Sequence, residues 1–246
     1  WLTISGLTLA LAYIAPKYIL PLFNKFTPLE DGELKSSIHS MAKKCEFPLT
    51  EVSVMDGSKR SAKSNAFFTG FGKNKKIALY DTLVEKHTTD ELVGVLAHEI
   101  GHFKKKHIVQ GMAVGILHTG ALFFLLSVFL TNPQLFAAFG MPAPGSPPDA
   151  TTVAFGFIFF GLLFKPINKI LSVAMAVLSR KNEFEADAYA ASVTGKPLTM
   201  VAALKKLAAD NLANLTPHPF YVFMTYSHPP MIERLQALEA LADDPS

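Results

Sequence analysis

His98-Glu99-Ile100-Gly101-His102 decides how this chain is read. Two histidines four residues apart project from one face of a helix and can grip one metal ion. The glutamate beside the first histidine then lies close enough to take a proton from a water that the metal activates, the arrangement of a zinc-dependent hydrolase. The helix itself is well marked. Thr88-Thr89-Asp90-Glu91 reads as a capping box with Thr88 as N-cap, Leu92, Val95, Leu96 and Phe103 supply an apolar stripe, and Lys104-Lys105-Lys106 follow at the far end. A surface helix with two solvated histidines would carry the same five letters, so further segments are needed.

Glu183-Phe184-Glu185-Ala186-Asp187 is one of them, in a helical pattern that stops at Gly195. A catalytic zinc takes three protein ligands and keeps a fourth position open. Glu183 and Asp187 share a helix face, which suits one carboxylate on the metal and a second holding a ligand histidine in its tautomer. Spacing leaves Glu185 open as the ligand, although it points about 160–200° away from that face. Ser227-His228-Pro229-Pro230-Met231-Ile232-Glu233-Arg234-Leu235 is the other segment. Its prolines fix an extended approach and then open a helix, placing His228 where it can donate to an oxyanion.

Together with Ser64-Asn65-Ala66-Phe67-Phe68-Thr69-Gly70-Phe71, Lys75-Lys76-Ile77-Ala78-Leu79-Tyr80-Asp81-Thr82-Leu83 and Val95-Leu96-Ala97 before the histidine motif, these segments resemble the type I CAAX prenyl protease family over residues 28–238. Those proteins are integral-membrane zinc metallopeptidases that trim the C-termini of prenylated proteins. The resemblance implies a mainly α membrane protein, with transmembrane helices and a cytosolic gluzincin-like α/β part carrying a small β-sheet. It implies one Zn2+ per chain on His98, His102 and Glu183, with Glu99 as general base and later proton donor. Asp187 would orient a ligand histidine, and His228, with Arg234 ordering the pocket, would steady the tetrahedral intermediate. Asn65, Ala66, Phe67 and Phe68 would form the edge strand along which a substrate peptide lies. The residues agree with that: 66–69 is short and β-prone, and Ile77-Ala78-Leu79-Tyr80 is a partner strand across Gly72-Lys73-Asn74.

Half of the 246 residues are hydrophobic and 17% are charged, unusual for a soluble enzyme. Residues 108–130 are 23 in a row without a charge, long enough to cross a bilayer. Residues 1–22 hold a similar stretch, and a third covers 151–178, where Lys165, Pro166 and Lys169 interrupt it. A helix over that third span is about 40 Å long, so its lysines must face a polar cavity or the helix must break near Pro166. Lys25, Lys104, Lys105, Lys106, Arg180 and Lys181 fall on one side of the spans, whereas the loop 131–150 has no lysine or arginine. The positive-inside rule puts the metal motifs on the cytosolic side, of the endoplasmic reticulum in a eukaryote or the inner membrane in a bacterium.

The expected organisation is a membrane helix at 1–26, a cytosolic α/β part at 27–107, a membrane hairpin at 108–178, and a helical part with the third ligand at 179–246. Amphipathic helices are expected at 198–215 and 230–241. There is no basic start or cleavage site for a signal peptide. The family has further membrane helices upstream, so the chain is read as a fragment whose N-terminal piece completes a chamber. Cys45, the single cysteine, allows no internal disulfide. A net charge of +3 is too small to argue for nucleic acid, and the patch of Lys73, Lys75, Lys76 and Lys104 to 106 suits anionic lipid headgroups. Expected partners are therefore a peptide or prenylated C-terminus, the bilayer and the upstream helices. Two other readings compete: a membrane quality-control zinc protease, which would cleave loosely folded membrane proteins, and a non-catalytic zinc-binding membrane scaffold or transporter, which would cleave nothing.

Overall fold

The structure is a computed structural model and describes residues 1–70, 74–145 and 148–243. It is mostly helical, with one small sheet. At the N-terminus, α1 (Leu2–Ile14) runs through a π-helical stretch, Ala15–Ile19, into α2 (Leu20–Phe23). Pro16 and Pro21 sit at that widening, where each lacks the amide an α-turn would use. Together these pieces form one apolar rod, Leu2–Phe23.

The chain then builds an α/β layer. β1 (Phe26–Pro28), α3 (Glu33–Lys44), β2 (Leu49–Met55), β3 (Ala66–Thr69) and β4 (Lys75–Tyr80) are followed by α4 (Asp81–Lys86) and α5 (Thr89–Lys104). The sheet order is β1-β2-β4-β3, with β2 and β4 parallel and the other two pairings antiparallel, so β3 is an edge. The expected hairpin is present, with Ala66 opposite Leu79 and Phe68 opposite Ile77. The expected turn, Gly72-Lys73-Asn74, falls partly outside the described residues. Gly70 is required at the strand's end: its φ is +93°, and a Cβ there would sit 2.0 Å from the Asn74 carbonyl oxygen. One face of the sheet presents Val52, Ala66, Ile77 and Leu79 to Ile38 and Met41 of α3 and to Leu92, Leu96 and Ile100 of α5. Phe47, Phe68 and Phe103 close this core with edge-to-face contacts, their centroids 5.2–5.9 Å apart.

α6 (His107–Thr131) and the short α7 (Pro133–Ala138) lead to α8 (Ala150–Thr194). α6 and α8 are antiparallel neighbours. Gln110 accepts from Asn182, His118 pairs with Asn168 at 2.9 Å, and Leu126 clusters with Phe160 and Phe164. The rod Leu2–Phe23, α6 and α8 are long and apolar enough to cross a membrane. Helix α8 decides between the two alternatives left open at Pro166. It does not break at Pro166 but continues for 45 residues, about 67 Å, from the Asp149 N-cap to the left-handed Gly195. The loss of one backbone bond at Pro166 is tolerated inside so long a helix. Lys169 answers its burial problem by donating to the Met224 carbonyl at 2.7 Å. Consequently the position 178/179, expected to separate two parts, lies in mid-helix.

α9 (Pro197–Asp210), α10 (Pro219–Thr225) and α11 (Met231–Asp243) finish the chain. The amphipathic pattern of 198–215 overran, because Asn211 to Thr216 leave the helix. Leu212 takes positive φ there. α10 was not expected. Its apolar run is short, and its C-terminal carbonyls are capped from outside, Met224 by Lys169 and Val222 by Arg180.

Candidate active site

The site forms where α5 crosses α8, and small residues make the crossing close. Ala97, Ala186 and Ala190 are fully buried there. Gly101 faces α8 so tightly that a Cβ would meet Tyr189 Cδ1 at 3.1 Å and the Ala186 Cα at 3.2 Å. The Thr88 capping box fixes the start of α5: Thr88 Oγ1 accepts from the Glu91 amide, and the Glu91 carboxylate accepts from the Thr88 amide.

From this crossing His98, His102 and Glu183 converge. The two Nε2 atoms are 3.1 Å apart, and the Glu183 oxygens lie 3.7 Å from His98 Nε2 and 3.4 Å from His102 Nε2. A tetrahedral cation with bonds of 2.0–2.1 Å has ligand atoms about 3.3–3.4 Å apart, so these spacings fit one. The chemistry of the donor set agrees. His98 Nδ1–H donates to Asp187 Oδ1 at 2.8 Å, which leaves the Nε2 lone pair facing His102 and a carboxylate. Such a group of acceptors is satisfied by a cation. Among the described residues this is the group of histidine and carboxylate ligands able to hold a metal ion.

Arg234 locks the second layer. Its Nε and Nη2 donate to the two oxygens of Asp187 at 2.7 Å each, and its Nη1 lies 3.2 Å from Glu183 Oε2. Asp187 and Arg234 are both buried. Glu99 is partly buried next to His98. Burial pushes its carboxyl above the usual range and Glu183 adds to that, while the two imidazoles and Arg234 pull against it. For His102, burial works downward, but the Glu183 and Glu99 carboxylates outweigh it and hold the imidazole above its ordinary value.

His228 reaches the rim: its Nε2 is 3.5 Å from Glu183 Oε1, its Nδ1 is 3.1 Å from Ser227 Oγ, and the ring is largely exposed. Asn65, Ala66, Phe67 and Phe68 fall on the free edge of the sheet or just before it, with Phe68 against Phe103, the neighbour of His102. Tyr80 donates to the Asn65 carbonyl, so the alternation of the ladder turns the amides of Ala66 and Phe68 outward. The Ala66 amide is held meanwhile by the Asn65 side chain at 2.9 Å.

Glu185 is not in the cluster; it pairs with His107 at 3.2 Å and Lys181 at 3.6 Å. His107 was missed by sequence reasoning, because it follows three lysines and sits five residues after His102, off any helical register. Lys106, at φ +61°, turns the chain back to place it. The sequence marks Lys169 as a lysine that must avoid lipid and Arg180 as part of the basic side, without naming a partner for either. They hold the carbonyls of Val222, Met224 and Tyr226 just ahead of His228.

A helix crossing that gathers two histidines and a glutamate beside a second glutamate defines the class of metal-dependent peptidases, and comparison narrows it. The family profile described as Peptidase family M48 matches residues 28–242, and the chain belongs to that family. It is 42% identical to the protein named CAAX prenyl protease 1 of Saccharomyces cerevisiae, over 94% of this chain and 52% of that protein. It is 38% identical to the CAAX prenyl protease 1 homolog of Homo sapiens, over 98% and 57%. The crystal structure of S. mikatae Ste24p is similar with a TM-score of 0.85 and 40% identity, covering 97% of this chain and 57% of that one. The chain therefore spans little more than half the length of these relatives.

Proposed function

We propose that this chain carries the catalytic part of a membrane-integrated zinc endopeptidase of the gluzincin type. It removes the C-terminal tripeptide of prenylated CAAX proteins, or cleaves a related peptide. The observation that carries the reading is the convergence of His98 Nε2, His102 Nε2 and Glu183 at tetrahedral spacing beside Glu99. The names of the relatives support the substrate class.

One Zn2+ held by these three residues would polarise the scissile carbonyl and lower the pKa of water from 15.7 toward ~7. The rest falls to the chain's own groups. Glu99, its basicity raised by burial, takes the proton of the attacking water and returns it to the leaving amine. Asp187 keeps His98 Nε2 free of hydrogen, and Arg234 holds Asp187 and Glu183 in place. His228, at the rim, donates to the oxyanion of the tetrahedral intermediate. The substrate backbone adds to β3 through the outward groups of Ala66 and Phe68. Residues 1–26 and 108–178 lie in the bilayer. The parts at 27–107 and 179–246 lie on the cytosolic face, of the endoplasmic reticulum or a bacterial inner membrane.

Glu99→Gln is the direct test. Zinc content should be unchanged, while cleavage of a farnesylated CAAX peptide falls by about 10²–10⁴-fold. Cleavage at the parental rate would end this assignment.

A further inference from the structure

His107 is buried with both ring nitrogens engaged, and none of the steps above uses it. Its Nδ1 lies 3.0 Å from His102 Nδ1 and its Nε2 lies 3.2 Å from Glu185 Oε2, with the two imidazole planes at 73°. Proton counting fixes the direction of this chain. Ionised Glu185 only accepts, so His107 Nε2 carries a hydrogen. In a neutral ring, Nδ1 is then a lone pair, and it must accept from His102 Nδ1–H. When His102 is neutral, as a metal ligand must be, its Nε2 then carries no hydrogen and faces His98 Nε2 and Glu183. The same result is reached at His98 by Asp187 directly.

We infer that His107 and Glu185 are a positioning pair for His102, setting the tautomer and tilt of the second ligand ring as Asp187 sets the first. The inference rests on the reading of His98, His102 and Glu183 as a metal site. Neither residue touches the reacting atoms; each acts through His102. The backbone is arranged for it. Lys106, in the left-handed region, reverses the chain between α5 and α6 so that the first residue of α6 returns to the last turn of α5. The two ligand rings are nonetheless held differently. His98 leans on a buried carboxylate already clamped by Arg234, whereas His102 leans on a neutral ring and then on Glu185, which is half-exposed and shared with Lys181.

The test uses the intact protein in detergent, with zinc affinity measured by chelator competition and the visible spectrum of the cobalt-substituted form as a second readout. His107→Ala should weaken zinc binding by about 10–100-fold and alter the cobalt spectrum. His107→Asn, whose side-chain oxygen can take the place of Nδ1, should recover most of that loss. Glu185→Ala should weaken zinc binding on its own but add nothing in the His107→Ala background, because the two act in series. Unchanged affinity in His107→Ala, a His107→Asn as weak as His107→Ala, or additive losses would each overturn the inference. If His107→Ala does not fold, Glu185→Ala decides alone, and parental affinity in it overturns the pair. A parental protein that binds no stoichiometric zinc would sink the metal reading and this inference together. Parental binding with indifferent variants sinks this inference alone.

Discussion

At the scale of single residues, Arg234 is where removal should cost most. One planar fork serves two carboxylates, both oxygens of Asp187 and one of Glu183, with all three side chains buried. Arg234→Leu strands two buried negative charges, and breaking such a pair costs about 3–5 kcal/mol. Arg234→Lys keeps the charge but cannot span both partners, so it should recover less than half of that loss. Thermal unfolding of the metal-free protein compares them, and a lysine variant as stable as the parent would show that the fork's geometry is irrelevant. Arg234 also marks a boundary of what the amino-acid sequence reveals. The spacing of 98 to 102 and of 183 to 187 announces shared helix faces, because period alone dictates them. Arg234 entered only through family resemblance, since nothing in its own helix tells which carboxylate, nearly fifty residues upstream, it will meet. Glu183 and Glu185 could not be separated by spacing for the same reason: the choice depends on which face of α8 carries the alanines that let α5 approach.

Among elements, the α5–α8 crossing sets the distances between the proposed ligands. Gly101→Ala would put a methyl 3.1–3.2 Å from Tyr189 Cδ1 and from the backbone of Ala186, and backbone cannot swing aside as a side chain can. α8 should withdraw by a few tenths of an ångström, with roughly 1–3 kcal/mol of overpacking strain and about tenfold weaker zinc binding. Parental affinity in a zinc titration would mean that close packing does not govern the site. The start of α5 gives a pH signature. Glu91 is buried, accepts from the Thr88 amide and lies 2.6 Å from Lys206 Nζ. Burial alone would raise its carboxyl, but the Lys206 and Thr88 bonds outweigh that and hold it below the ordinary 4.5. Because the folded value is the lower one, the stabilisation is complete above pH 4.5 and is lost as pH falls toward the folded value. Glu91→Gln should therefore melt earlier than the parent at pH 7, by roughly 1 kcal/mol, and the gap should close below pH 4.5. A gap independent of pH would assign the effect to packing. Helix starts of this kind were legible from four letters. α10 was not, because it is a seven-residue helix whose end is capped by Lys169 and Arg180 from another helix.

For the molecule as a whole, charge distribution is what the proposed orientation rests on. The loop between α6 and α8 is without lysine or arginine, while the α/β layer holds most of the basic residues. In sealed vesicles with the cytosolic face outward, a membrane-impermeant maleimide should label Lys63→Cys at once and Ala143→Cys only after permeabilisation. Both positions are exposed, and Cys45 is buried and silent. The reverse pattern would invert the proposed topology. The three apolar spans were visible as runs without charge, but the continuity of α8 was hidden. A proline between two lysines is the ordinary sign of a break, yet the helix runs on through it. That continuity bears on any attempt to dissect the protein. Helix α8, whose N-terminal part is proposed to enter lipid, presents the 183 carboxylate nearer its other end, without a break in between. A water-soluble catalytic core cannot be excised by cutting at a linker, since the knife must fall inside a hydrogen-bonded cylinder and leave its raw amides unsatisfied. On the proposed reading, lipid anchor and metal cradle are one mechanical part.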